Sequence, residues 1–274
     1  MSQNNKFFKS LCQVNKFGMF VCLLLSFSLP HNVAAQKVNK SYGNYEQVAR
    51  IPNEIFLRKH QFNVSYNTST LCPNYVSWVL SKDMLRGNAQ RSNKFMADES
   101  VRSKWRVDYF DYNGSGYDRG HMCPAGDNKN SQSAMDATFL MTNICPQNHG
   151  LNAGDWNELE NQCRYWARNY GKLYIVCGPV FYKSNDANRK RIGKRKNLKV
   201  SVPDGFFKVI LSMGKEPKAI GFIYPNKNGN KDIRDYAVSV DEVERVTGFD
   251  FFVNLDDNVE KRIERECKPS AWGI

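Results

Sequence analysis

The amino-acid sequence predicts an α+β domain. Three observations carry this reading. Apolar runs of strand length recur near 75–85, 171–181, 205–213 and 218–225. Other segments place apolar residues three and four apart, the spacing of one helix face. The two kinds of segment follow one another without the strand–helix–strand rhythm of a parallel sheet.

The elements are taken in chain order. Lys6, Lys9 and Lys16 precede thirteen largely apolar residues, Phe17 to Leu29, and then "PHNVAAQ". A basic start, a short apolar run and small residues at Val33 and Ala35 are the parts of an export leader. Residues 1–35 are read as that leader, cleaved after Ala35, with an uncleaved anchor as the alternative. The run is shorter than the roughly 20 residues a spanning helix needs. No other segment is apolar enough to span, so no membrane span is expected in the mature chain. Residues 36–50 are polar and aperiodic and predict a mobile segment, so 36–60 is set apart from a single domain over 61–274.

"YVSWVLSKDML" from Tyr75 predicts a strand running into a turn. "GKLYIVCGPVF" (171–181) predicts a buried strand. "GFFKVILSM" (205–213) and "KAIGFIYP" (218–225) predict two more, joined by a turn holding Gly214 and Pro217. In "GDWNELENQCRYWARNYG", Trp156, Leu159, Cys163, Trp166 and Tyr170 fall on one helix face, and Gly171 is a natural stop. "DEVERVTG" opens with Asp241 and has Glu244 three residues on, a capping-box pattern, and it ends at Gly248. A charged helix is expected from about Asp257 to Cys267.

The formal charge is +12, and the leader takes three lysines and no acid with it. Such an excess suits a polyanionic partner, although solubility alone would also favour it. Eight bases crowd residues 183–199 and only Asp186 opposes them locally. That stretch reads either as a solvated loop or as one that tracks phosphates. Six cysteines remain in the mature chain: Cys72, Cys123, Cys145, Cys163, Cys177 and Cys267. An even number in an exported chain predicts disulfides, and sequence does not choose among the 15 possible full pairings.

Chemistry concentrates in two stretches. "YDRGHMCPAGD" (117–127) holds an acid, an arginine and a histidine with glycines around them. Arg119 suits a phosphate oxygen, and a neutral His121 accepts a proton near pH 7. At i and i+2 of an extended chain the two point to the same side. Alone, this pattern also fits a tight turn with a satisfied histidine. The second stretch, "TNICPQNHGLNAGDWNELE" (142–160), masses Asn143, Gln147, Asn148, His149 and Asn152 ahead of a helix. Amides there serve as caps, or they offer oxygen to a hard cation such as magnesium, which keeps most of its waters. Glu160 follows two turns after Asn152. His60 sits beside no obvious chemistry and is expected at the surface.

Together the two blocks resemble those of the secreted DNA/RNA non-specific endonucleases, relatives of mitochondrial endonuclease G in the ββα-metal class. Asp118-Arg119-Gly120-His121 is similar to that family's D-R-G-H signature. Residues 142–160 resemble its T-N-I-x-P-Q and L-N-x-G-x-W-x-x-L-E block. "RSNKFMADES", "YIVCGPVF", "VPDGFFKVIL" and "AVSVDEVERVTGFDFF" resemble further family segments in register, so the likeness runs over roughly 75–265. It implies a central, mostly antiparallel sheet flanked by helices, and a secreted or periplasmic enzyme. It implies hydrolysis of DNA and RNA with magnesium, or manganese in its place, to 5′-phosphate and 3′-hydroxyl ends. His121 matches the general base, and Asn152 the sole direct protein ligand of the metal. Arg119 matches the arginine beside the scissile phosphate. Glu160 matches the acid that holds metal-bound water. Arg91 matches an arginine that stabilises the phosphorane-like charge, with looser spacing to Asp98. Asn143 matches an asparagine that supports the site. A homodimer is also known in the family.

Two rivals stand beside this reading. His121-x-Cys123 and Cys145-x-x-x-His149 offer four ligands for a structural zinc ion. A catalytically silent nucleic-acid-binding module of the same fold would keep the surface without the turnover.

Overall fold

The computed structural model describes residues 44–274 apart from Pro52 and Asn53, with the side chains of 184–186 also undescribed. The expected leader lies outside these residues. The strands in chain order are β1 (Ile55–Arg58), β2 (Phe62–Asn67), β3 (Cys72–Leu80), β4 (Asp118–His121), β5 (Ile144–Gln147), β6 (Leu173–Val180), β7 (Arg191–Ile192), β8 (Val200–Ser201), β9 (Gly205–Ser212), β10 (Lys218–Pro225) and β11 (Ala237–Val238). The α-helices are α1 (Gln132–Ala137), α2 (His149–Ala153), α3 (Asp155–Tyr170), α4 (Val240–Thr247) and α5 (Asp257–Glu264). Seven strands form one antiparallel sheet in the order β1-β2-β3-β6-β9-β10-β11. The pairs β4-β5 and β7-β8 stand apart from it. The architecture is the expected α+β one.

β9 explains why the sheet has two covered faces. Every residue of "GFFKVILS" is buried. Side chains alternate across a strand, so Phe206 and Ile210 join the core under α3, while Phe207, Val209 and Leu211 join the core under α4 and α5. A strand buried on both sides reads as a continuous apolar run. Lys208 interrupts that run on the α3 side.

α3 lies on its expected face. Trp156, Leu159, Cys163 and Trp166 are buried, Tyr170 is half-buried, and Gly171 closes the helix at φ 88°. The Trp166 Nε1 donates to the Trp272 carbonyl at 2.7 Å, which ties the C-terminus to the helix. Truncating so large a buried ring costs about 3–5 kcal/mol. On the opposite face Val240, Val243 and Ile263 pack with Phe251.

Several expectations need correction. The N-cap of α4 is Ser239, whose hydroxyl accepts from the Glu242 amide at 3.1 Å, rather than Asp241. Ser239-x-x-Glu242 is the same kind of pattern two residues earlier, and the helix takes it because Val240 is needed in the core. α5 stops at Glu264, three residues before Cys267. Residues 44–50, read as part of a mobile segment, are docked instead. Val48 bridges to Phe251, the Ala49 amide donates to the Asp250 carbonyl at 2.9 Å, and the Asn254 amide reaches the Asn44 carbonyl at 2.9 Å. One buried valine and backbone bonds pin a stretch that has no period to read. The sheet also begins at Ile55, ahead of residue 61.

The six cysteines from Cys72 to Cys267 are free thiols. Five are buried and Cys267 is exposed, so the disulfide framework expected of an exported chain is not among the contacts of the described residues. The buried thiols fill apolar space as small hydrophobes. The basic stretch is only partly a loop. Arg195 turns inward and pairs with the buried Asp111, which sequence distance had hidden.

Candidate active site

β4 and β5 pair antiparallel, with Asp118 opposite Gln147, Arg119 opposite Pro146, Gly120 opposite Cys145 and His121 opposite Ile144. α2 and α3 follow directly, so two strands and two helices carry the site. Gly120 is extended rather than turned. A Cβ there would run into the Gln147 side chain, so the glycine makes room for a neighbouring side chain. The turn falls earlier, at Gly114 and Gly116, with φ of 73° and 81°.

The alternation along β4 puts Arg119 and His121 on one side. Both line a cleft of about 310 Å³, together with Arg91, Asn152, Glu160 and Arg164. His121 sits at its inner wall and is 8% exposed. Its ring is 4.9 Å from Phe139 and 5.4 Å from Phe95, and its Nε2 is buried without a hydrogen-bond partner. Burial first, and then the Arg91 charge, pushes its pKa down to about 3. The imidazole is therefore neutral, able to accept a proton, across the working pH range.

The two arginines are held by rings and carbonyls. Arg119 lies 5.4 Å over Phe95, donates to the Tyr109 carbonyl at 3.0 and 3.3 Å, and donates to Asn113 Oδ1 at 2.6 Å. Arg91 lies 5.1 Å over Phe139 and donates to Asn93 Oδ1 at 2.7 Å. Among the described residues neither guanidinium forms an ion pair with a carboxylate, which leaves both available to an anion.

Asn152 is oriented by the first residue of β4. Its Nδ2 donates to Asp118 Oδ2 at 2.9 Å, the same oxygen that His149 Nδ1 approaches at 2.9 Å. Anchoring the amide nitrogen fixes which way the amide faces and leaves Oδ1 as the atom offered to the cleft. Across the cleft stands Glu160, a half-buried carboxylate. Burial raises its pKa, and Lys208 and Arg164 oppose that rise. An oriented amide oxygen and a carboxylate are oxygen donors suited to a hard divalent cation with most of its waters retained.

Asn143 does not line the cleft. It is fully buried, its Oδ1 accepts from the Cys123 amide, and its Nδ2 donates to the Cys123 and Thr138 carbonyls, all at 2.9 Å. It fixes the chain that leaves His121. The zinc alternative fails on geometry. Cys123 and Cys145 are in the core, and His149 is an exposed ring on Asp118. Adjacent positions on paired strands also turn His121 away from Cys145. Among the described residues these four do not converge. His60 is exposed, as expected.

Sequence reasoning missed three participants. Arg164 donates to Asp127 Oδ1 at 2.8 Å and lies 3.9 Å from Glu160. It was findable, because Asn157, Glu160 and Arg164 repeat at three and four along α3. Asp127, buried and bonded by Trp78 Nε1 at 3.2 Å, gave no such signal. Lys208, 1% exposed, places its ammonium 4.4 Å from Trp156 and 5.7 Å from Trp78, beneath Glu160 and Asp127.

Comparison with known proteins decides the family. The family model for DNA/RNA non-specific endonucleases matches residues 41–258. The chain belongs to that family. Its members are divalent-metal-dependent nucleases, hydrolases of phosphodiester bonds. The chain is 36% identical over 225 residues to a nuclease of Nostoc sp. (strain PCC 7120 / SAG 25.82 / UTEX 2576), covering 78% of each. It is 38% identical over 207 residues to the mitochondrial nuclease EXOG of Mus musculus, covering 70% of this chain but 55% of the mouse protein. Mitochondrial nuclease 1 of Schizosaccharomyces pombe is 32% identical over 251 residues, covering 86% of this chain and 72% of the other. A crystal structure of an EndoG/EndoGI complex superposes with a TM-score of 0.67 at 29% identity, over 73% of this chain and 86% of that one. This non-specific endonuclease therefore shares the ββα-metal fold. Among its described residues no helix is long and apolar enough to cross a membrane.

Proposed function

We propose that this endonuclease hydrolyses both DNA and RNA with magnesium, with little sequence preference, and leaves 5′-phosphate ends. The observation that carries this reading is the Asp118–Asn152 bond, which turns an amide oxygen into the cleft that also holds His121. Asn152 would hold the ion and Glu160 would face its waters. Bound there, magnesium supplies positive charge to offset the charge that develops on the leaving oxygen.

The remaining work falls to side chains. Arg119 and Arg91 take the phosphate oxygens and stabilise their charge as the phosphorus becomes five-coordinate. His121 takes the proton of the attacking water. A phosphate drawn in between the arginines offsets the Arg91 charge felt by the ring, so binding raises the basicity of His121 when it is needed. Asn143 keeps the ring in place from behind. None of these contacts reads a base edge, which fits cleavage without sequence preference. Export is supported by the leader pattern of residues 1–35.

The test is nicking of supercoiled plasmid and cleavage of single-stranded RNA by the purified mature chain. Both are expected with magnesium, both cease with chelator, and Asn152→Ala loses both. Full activity of Asn152→Ala at low magnesium would overturn the metal assignment. Binding without cleavage by the wild type would favour the silent module.

A further inference from the structure

On the sheet face opposite the cleft, three acids converge. Asp241 and Glu244 are three residues apart on α4 and so share a side of that helix. Glu264 is the last residue of α5. One carboxylate oxygen from each lies within 4.8 Å of the others. Proximity alone would mean little, since acidic clusters are common on surfaces. Glu264, however, is only 5% exposed, and its Oε1 is buried with no hydrogen-bond partner.

Among the described residues no base is paired with Glu264, and no ion pair reaches Asp241 or Glu244. Arg245, next to Glu244 in sequence, is turned to Glu242 with bonds of 2.6 and 2.7 Å. The groups that act most strongly on Glu264 are Glu244, Glu260, Asp241 and Asp250, all acids. Burial and these charges push its carboxyl up to about 9, and burial pushes Glu244 up to about 7. Glu244 Oε1 accepts from the Phe251 amide at 2.8 Å, which orients the group and leaves Oε2. A buried carboxyl in such company needs either a proton or a cation.

We propose that Asp241, Glu244 and Glu264 form a divalent-cation site of the calcium class that clamps α4 to α5. The donors are all carboxylate oxygens, which select hard cations. Calcium binds oxygens at about 2.3–2.6 Å in flexible arrangements of 6–8 ligands, so donors within its sphere stand up to about 5 Å apart. Magnesium is bound through one or two carboxylates and demands octahedral geometry. The exposed Asp241 leaves one side open for the waters that complete the sphere.

The test uses the full mature chain carrying Asn152→Ala, so that the cleft contributes no metal signal, and adds calcium while thermal unfolding is followed. At a calcium concentration about 100 times the dissociation constant, the midpoint is expected to rise by about 5 °C or more. Terbium should give sensitised luminescence that calcium displaces. Both responses should vanish when Glu264→Gln is added, and Asp241→Asn, an exposed change, serves if Glu264→Gln does not fold. No calcium response in the Asn152→Ala protein, or an equal response in the combined variants, overturns the site. Greater stability of the Glu264→Gln variant at neutral pH, with no calcium response in its parent, assigns the cluster to a shared proton and also overturns it. The readout is independent of nuclease activity, so failure here leaves the proposed function untouched.

Discussion

The cleft and the basic stretch at 183–199 are both cationic, yet they are built differently. In the cleft, Arg91 is fixed by Phe139 and Asn93, Arg119 by Phe95, Asn113 and the Tyr109 carbonyl, and Arg164 by Asp127. In the basic stretch, Arg195 is consumed by Asp111, Lys190 lies 4.8 Å over Tyr117, and Lys199 donates to the Gly193 carbonyl at 2.5 Å. Arg191, Lys194 and Lys196 remain exposed. The lesson is that charge density and charge placement are separate quantities. Few guanidiniums held in position stabilise one developing charge strongly, whereas many mobile ammoniums attract a polyanion without directing it.

Substitutions sharpen that contrast, and the largest effect belongs to the base. His121→Ala should lower cleavage by about 10²–10⁴-fold, the usual worth of a general base, in a variant that still unfolds cooperatively. Near-normal turnover in a folded variant would remove His121 from the chemistry. Next comes Asp118→Ala, which frees the Asn152 amide to rotate. Loss of a partner that orients a metal ligand costs about 10–100-fold in metal affinity, so a rise in the magnesium concentration for half-maximal rate is expected, with a smaller change at saturation. Unchanged magnesium dependence would mean that Asn152 needs no orientation.

The pH profile of kcat/KM separates the two titrating groups in the cleft. His121 is held down to about 3 and stays a base as pH falls. Burial raises Glu160, and in the proposed mechanism it acts as a carboxylate, so activity should be lost on acidification at a higher pH than an ordinary glutamate would give. The acid limb should shift to lower pH as magnesium is added, because a cation opposes protonation, and Glu160→Gln should abolish the limb. A limb that is indifferent to Glu160→Gln would return it to His121.

The smallest effect belongs to the basic stretch. Because Arg195 is structural, the informative variant neutralises Arg191, Lys194 and Lys196 only. KM for long DNA should rise with turnover nearly unchanged. The slope of log affinity against log salt should flatten by about 0.9 for each phosphate that the chain no longer neutralises. An unaltered slope makes this face merely solvated.

What was legible follows from how local each signal is. The strands at 205–212 and 218–225 are written as short apolar runs and the face of α3 in a period of three to four, and the structure places them within a residue or so. Arg91, Arg119, His121, Asn152 and Glu160 were collected by motif, and one cleft gathers them all. Asn143 was collected too but lies behind the wall. Asp127 and Lys208 were illegible because their meaning depends on tertiary neighbours. A lysine inside "GFFKVILS" looks like an error of pattern until Trp156 and Trp78 are seen on either side of it. Val48 was illegible for the opposite reason, since a single bridge to Phe251 leaves no pattern at all.

The sheet register has one further consequence. Leu80, the last residue of β3, pairs directly with Leu173, the first of β6. Every residue that lines the cleft lies between them, so the chemistry occupies a single excursion whose two ends meet at one rung of the ladder. The entropy of closing such a loop grows only with the logarithm of its length, by about 0.6 kcal/mol for each doubling. The excursion's exposed connections can therefore lengthen at little entropic cost, while α3, which packs Trp156, Leu159 and Trp166 on the sheet, stays fixed. The scaffold is in this sense a clasp that stays shut whatever the length of those exposed connections.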